Sequence, residues 1–141
     1  MSAAPPVLVL DTNIVLDLFV YEDPATQPLR AALAAGAPWL ATAAMREELA
    51  RVLAYPQILR RLQLRDLGAD EVLLRFDGQA RLAPEAPKAP YTCKDPDDQK
   101  FIDLAAEHRA LLLSKDAAVL CMARRLARIG ARISRQWPAA A

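Results

Sequence analysis

The sequence predicts an α/β protein, a three-layer α/β/α sandwich with a mainly parallel central sheet. Three observations carry that prediction. Val7-Leu8-Val9-Leu10 and Leu111-Leu112-Leu113 are short aliphatic runs without polar alternation, the pattern of strands buried on both faces. The segments between the strand-like runs carry helical periodicity, and strands that alternate with helices pair in parallel. With 141 residues, 54% of them hydrophobic, the chain can bury a substantial core.

The first strand ends at Asp11. A helix follows, with Thr12 or Asn13 as its cap, and runs to about Phe19. Tyr21-Glu22-Asp23-Pro24 breaks it, and a second helix covers about Ala25 to Ala35, stopped by Gly36. Pro38 to Ala41 reads as a weaker strand. Thr42 caps a third helix through Leu53, with Leu49, Val52 and Leu53 on one face. Pro56 opens a short helix to about Leu64, and Ala69 to Gln79 forms another. Pro84, Pro87 and Pro90 keep Arg81 to Thr92 extended, with room for an edge strand. Asp95-Pro96-Asp97-Asp98 opens an amphipathic helix on which Phe101, Leu104, Ala105 and His108 share a face, which places His108 in the core or at its boundary. After Leu111–Leu113, one long helix is expected from Ala117 to about Arg128, then a last strand over Gly130 to Ile133. Helices outnumber strands, so two or three of them should pack together as an appendage.

Composition narrows the function. A net charge of +1 excludes a global polycation, so any nucleic-acid contact must come from a local patch. Cys93 and Cys121 match no metal-ligand spacing and read as reduced thiols, a disulfide being the second choice. The start of the chain lacks the basic region of a signal peptide, and the longest uncharged stretch, Ala31 to Met45, is too short to span a membrane. The expectation is a single domain over residues 1–141, soluble and cytoplasmic, with its core at about 7–133 between a short N-terminal tail and an alanine-rich C-terminal one.

Four acids then converge. Asp11 closes one strand, Asp116 lies just past another, Asp98 sits in the first turn of the helix before that strand, and Glu48 lies in the helix after the second strand. In open α/β sheets, ligands bind in the crevice beyond the carboxyl ends of the strands. Carboxylates gathered there repel one another unless cations offset them, and oxygen donors suit Mg²⁺ or Mn²⁺. Each acid also has a plainer role. Asp98 could complete a capping box behind Asp95, Asp116 could cap the last helix, Glu48 could be a surface residue no better than Glu47, and Asp17 fits a solvated helix face.

These motifs resemble the PIN-domain family. They are Leu10-Asp11-Thr12-Asn13; Glu48-Leu49 with Val52-Leu53; Cys93-Lys94-Asp95-Pro96-Asp97-Asp98 with Phe101 and Ala105; and Ser114-Lys115-Asp116. The nearest likeness is to members described as toxin components of toxin–antitoxin pairs, the VapC-like ribonucleases. The resemblance implies a metal-dependent endoribonuclease with catalytic acids Asp11, Glu48, Asp98 and Asp116. Asp11, Asp98 and Asp116 would be the metal ligands, with Mg²⁺ or Mn²⁺ as cofactor. It selects Asp98 by its spacing to Phe101 and Ala105, and Glu48 by the apolar residues after it. Asn13 matches a small polar position beside the metal, and Ser114 stands where the family commonly has threonine, keeping the hydroxyl.

RNA must also be gripped. From Arg109 onward, seven basic residues face the single acid Asp116. Lys115, Arg124, Arg125 and Arg128 are the candidate RNA contacts, against the alternative of a solvated helix face. Arg60, Arg61 and Arg65 form a smaller cluster. The partners expected are an RNA substrate, an antitoxin protein and a second copy of the chain, the last through helical faces carrying Leu29, Leu33 and Leu62–Leu64 if these are not packed inside. The rival reading is a PIN-like module that binds RNA or protein without cutting. Haloacid-dehalogenase-type phosphotransferases would want aspartate where Asn13 stands, and a receiver domain would want paired acids near its first strand.

Overall fold

Five three-residue strands form one sheet in the computed structural model, which describes residues 5–138. They are β1 (Leu8–Leu10), β2 (Trp39–Ala41), β3 (Ala80–Leu82), β4 (Leu111–Leu113) and β5 (Arg132–Ser134). Their spatial order is β3-β2-β1-β4-β5, and every pairing is parallel. All residues of β1 and β4 are buried, which requires cover on both faces and gives the expected sandwich.

The chain moves outward from β1 to β2 and β3, then returns to place β4 on the other side of β1. The sheet therefore has its topological switch between β1 and β4, where the two outgoing connections diverge and leave a crevice. These strands run in register, Leu10 opposite Leu113, so the residues that follow them emerge side by side.

Eight helices surround the sheet among the described residues: α1 (Thr12–Phe19), α2 (Gln27–Ala34), α3 (Ala43–Leu53), α4 (Pro56–Leu64), α5 (Ala69–Gln79), α6 (Gln99–His108), α7 (Ala117–Leu120) and α8 (Ala123–Ala127). Local chemistry sets their ends. The Thr42 hydroxyl accepts from the Met45 N–H at 3.3 Å to start α3, and Pro56 takes the first position of α4. The Asp95 carboxylate accepts from the Asp97 N–H at 2.9 Å, starting the 3-10 turn that leads into α6. Gly36, at φ 100°, supplies the left-handed residue that closes α2. α6 packs on β1 and β4, while α3 packs on α1, α4 and α5 to form the expected appendage. Trp39 of β2 is fully buried between Phe19 and an edge-on Phe76, which ties α5 to the sheet.

Several expectations need correction. The cap of α1 is Asp11, whose carbonyl accepts from Ile14 and Val15, not Thr12 or Asn13. The last helix is two helices, because the turn tightens at Met122, whose N–H bonds three residues back to Val119; the kink lets Val119, Met122 and Leu126 all reach the core. His108 is exposed, since α6 ends there and its last turn projects past the sheet. Asp17 is buried, because α1 is enclosed on nearly every side. Leu29 and Leu62 belong to the core and cannot form a docking face, whereas Leu64 is 81% exposed. Both cysteines are free. The outermost parts of the two expected tails, residues 1–4 and 139–141, lie outside the described residues.

The β1/β4 seam should be the least forgiving part of the core. Leu112→Ala, at a fully buried central position, is expected to cost about 2–5 kcal/mol, read as a lower urea midpoint at unchanged slope.

Candidate metal centre

Asp11 follows β1 directly, and its neighbour across the seam is Ser114, the first residue after β4. The fully buried Ser114 hydroxyl donates to Asp11 Oδ2 at 2.6 Å and accepts from the Asp116 N–H at 3.0 Å. One hydroxyl thus fixes both the Asp11 carboxylate and the loop that carries Asp116. Asn13 supports the same loop, its Oδ1 accepting from the Lys115 N–H at 3.2 Å. Asp116 caps α7 as well, through Oδ1 to the Ala118 N–H at 2.9 Å. A capping role and a place in the crevice are therefore compatible for this residue.

Asp98 comes from the opposite side, on the 3-10 turn before α6. It makes no capping hydrogen bond to the helix start. Its side chain is turned inward, 7% exposed, and Oδ2 is buried with no hydrogen-bond partner among the described residues. The capping-box alternative is thereby excluded. Asp11, Asp98 and Asp116 each offer an oxygen within 4.8 Å of the others.

Electrostatics follow from this packing. Burial raises the Asp11 pKa above the usual carboxylate range, opposed by the hydrogen bond from Ser114. Asp98 is pushed up to about 8, first by burial and then by the neighbouring Asp116 and Asp11 carboxylates. An oxygen buried without a donor, beside two further carboxylates, is costly for the chain alone. A divalent cation fits it: every donor is a carboxylate oxygen, and neither histidine nor cysteine joins the cluster to favour zinc.

Glu48 stands apart from this triad. Its Oε1 accepts from Lys100 Nζ at 2.7 Å, and its Oε2 from the Thr12 hydroxyl in a very short hydrogen bond. The Lys100 ammonium also donates to the Asp97 carbonyl in a very short contact. Glu47 is exposed, whereas the Glu48 side chain is largely buried at the rim of the crevice. Thr12 and Lys100 are the residues that reading the sequence missed. Thr12 adjoins Asp11, but nothing local to either residue signals a partner 36 or 52 positions away.

The basic candidates divide. Lys115 pairs with Asp17 at 2.5 Å, so its charge is already engaged. Arg124, Arg125 and Arg128 are exposed on or just after α8, beside edge strand β5, and no hydrogen bond or ion pair ties them to the three acids among the described residues. In the smaller cluster, Arg65 pairs with Glu22 at 2.7 Å and Arg61 stacks over Tyr21.

The family model for the PIN domain matches residues 7–118, from the start of β1 to just past Asp116. The chain belongs to the PIN-domain family. No curated protein matches it. Members of this family are generally nucleases that use divalent metals, and the acidic triad of this PIN domain is compatible with that chemistry. The match takes in Asp11, Glu48, Asp98 and Asp116 and stops short of Arg124, Arg125 and Arg128. Among the described residues, no helix of the PIN domain is long and apolar enough to cross a membrane.

The raised carboxylate makes a prediction for the metal-free PIN domain. The unfolded chain releases the Asp98 proton near the ordinary carboxylate value of 3.8, while the folded chain holds it to about 8. Across that window the unfolded state binds fewer protons, so this group lowers stability as pH rises. In the presence of a chelator, Asp98→Asn should therefore melt higher than the parent at pH 8, by roughly 3–8 °C, with the gap closing toward pH 4. A gap that is constant with pH would contradict the assignment.

Proposed function

We propose that this PIN domain is a Mg²⁺- or Mn²⁺-dependent endoribonuclease, working as one domain and serving as the toxin of a type II toxin–antitoxin pair. The observation that carries the metal-dependent part is the buried Asp98 oxygen without a partner, on a side chain grouped with Asp11 and Asp116 at the carboxyl edge of the sheet. The toxin assignment rests on the VapC-like pattern of motifs. It brings with it a cytoplasmic setting, an antitoxin partner and pairing of two copies.

Asp11, Asp98 and Asp116 would hold the cation. When bound, a divalent ion supplies Lewis acidity, easing deprotonation of a water and offsetting charge on the phosphate under attack. The chain's own residues do the positioning. Ser114 keeps Asp11 facing the crevice, and Asn13 steadies the loop of Asp116. Glu48, at the rim, would orient the attacking water directly or through Lys100, which it holds. The exposed Arg124, Arg125 and Arg128 are proposed as the phosphate grip, joined by Lys115 where a phosphate competes with its Asp17 partner.

Asp11→Asn should lower Mn²⁺-dependent cleavage of a generic single-stranded RNA by about 10³-fold or more while the far-ultraviolet dichroism stays unchanged. A variant that cuts as fast as its parent would refute the assignment. A parent that binds RNA yet never cuts it with Mn²⁺ or Mg²⁺ would favour the non-cleaving module.

The basic flank is tested separately. Arg124→Gln combined with Arg128→Gln should reduce the slope of log affinity against log salt for single-stranded RNA by about 1.4, two phosphate contacts' worth. An unchanged slope assigns those arginines to the solvated face of α8.

A further inference from the structure

Glu48, a rim acid outside the triad, is paired with an ammonium. Lys100 Nζ lies 2.7 Å from Glu48 Oε1, and both side chains are more than four-fifths buried. The other end of Glu48 is held by the Thr12 hydroxyl, next in sequence to Asp11. The same ammonium donates to the carbonyl of Asp97, next in sequence to Asp98. Lys100 thus sits at the rim between the two arms that carry Asp11 and Asp98. It is fixed from both sides and lies 5.0 Å from the centroid of the Phe101 ring. An ammonium has three N–H donors. Two are taken by Glu48 and Asp97, and the third has no acceptor among the described residues.

Sites with two metal ions place the pair about 4 Å apart, one ion on each side of the reacting phosphate. The triad's oxygens, within 4.8 Å of one another, can share one ion, so a second ion beside it would draw on Glu48 at the rim. Glu48 is not free to serve, and removing one partner of a largely buried ion pair strands the other charge.

Building on the nuclease reading above, we propose that Lys100 stands in for a second metal ion. The chain loads one divalent cation on Asp11, Asp98 and Asp116. Lys100, held by Glu48 and the Asp97 carbonyl, turns its free N–H toward a non-bridging oxygen of the RNA phosphate. Glu48 then positions Lys100 rather than coordinating metal.

The experiment is a direct titration of the chelator-stripped protein with Mn²⁺, by calorimetry and by the paramagnetic signal of the free ion, followed by RNA cleavage. One Mn²⁺ per chain is expected, with an affinity that Glu48→Gln changes by less than about threefold and Asp11→Asn abolishes. Lys100→Met should bind its first Mn²⁺ at least as tightly as the parent and keep its far-ultraviolet dichroism, melting lower than the parent when metal-free because the Glu48 charge is left unpaired. Its kcat should fall by about 10² or more at Mn²⁺ that fills the first site only, with KM changed by less than about threefold. Lys100→Arg, which keeps the charge, should recover part of that loss. Partial rescue of Lys100→Met by high Mn²⁺, with a second ion appearing in the titration, is a signature that structural damage would not give. Two ions per chain in the parent, or a Lys100→Met variant within threefold of its kcat, overturns this inference and leaves the nuclease reading standing. No Mn²⁺ bound at all overturns both.

Discussion

The hydrogen bond from Ser114 to Asp11 crosses the seam between β1 and β4, and the geometry of the crevice depends on it. It is 2.6 Å long, fully buried at its donor, and links residues 103 positions apart. Its strength comes from an ionisable acceptor in a site with little water. It works as a positioning device because the strands beneath it are in register: Leu10 opposite Leu113 brings the two following residues out together. The same hydroxyl accepts from the Asp116 N–H. One small side chain therefore sets the distance between two acids that would otherwise separate by repulsion.

Charge around the crevice is arranged with matching economy. Two cations enter with the acidic loops, Lys100 just after Asp98 and Lys115 just before Asp116. Neither neutralises the acid beside it. Lys100 pairs with Glu48 and Lys115 pairs with Asp17, so the outer acids are balanced within the protein while the inner three are not. Asp98 carries the cost of this, its pKa pushed up to about 8 and one oxygen unpaired. Had either lysine turned inward, the triad would be a structural ion-pair cluster with no call for an external cation.

The frame was legible in the sequence because its signals are local. Unbroken aliphatic runs located β1 and β4, and proline, threonine and glycine punctuation located α3, α4 and the end of α2. The acids at strand ends were legible for the same reason, since a buried strand can place a carboxylate only where it leaves the core. What could not be read depends on three-dimensional enclosure. Asp17 follows a helical pattern that would expose it on an ordinary surface helix, but α1 is surrounded and Lys115 reaches it from across the sheet edge. His108 matches the apolar face by angle and still reaches solvent, because helical periodicity does not say where a helix outruns its core. Thr12 and Lys100 gain their meaning only from Glu48, which the fold brings from another helix.

The position of the triad also explains why it tolerates so unfavourable a group. At the switch between β1 and β4 the outgoing connections diverge, so no backbone competes for the space, and polar atoms placed there are not filling a hole in the core. The hydrophobic residues that hold the site, Leu10, Leu113, Phe101 and Ile102, are all buried within or directly beneath the arms that carry the acids. Their burial is large compared with the charge repulsion above them, roughly 1.5–3 kcal/mol for each large side chain. Burial first, and the neighbouring carboxylates after it, therefore raise the proton affinity of Asp98 instead of unfolding the strand ends. A cation that binds only the folded state acts on this balance by mass action. Bound here, it would displace the proton held at Asp98 and turn the least favourable group of the crevice into a ligand, which would couple stability to metal loading through that one carboxylate.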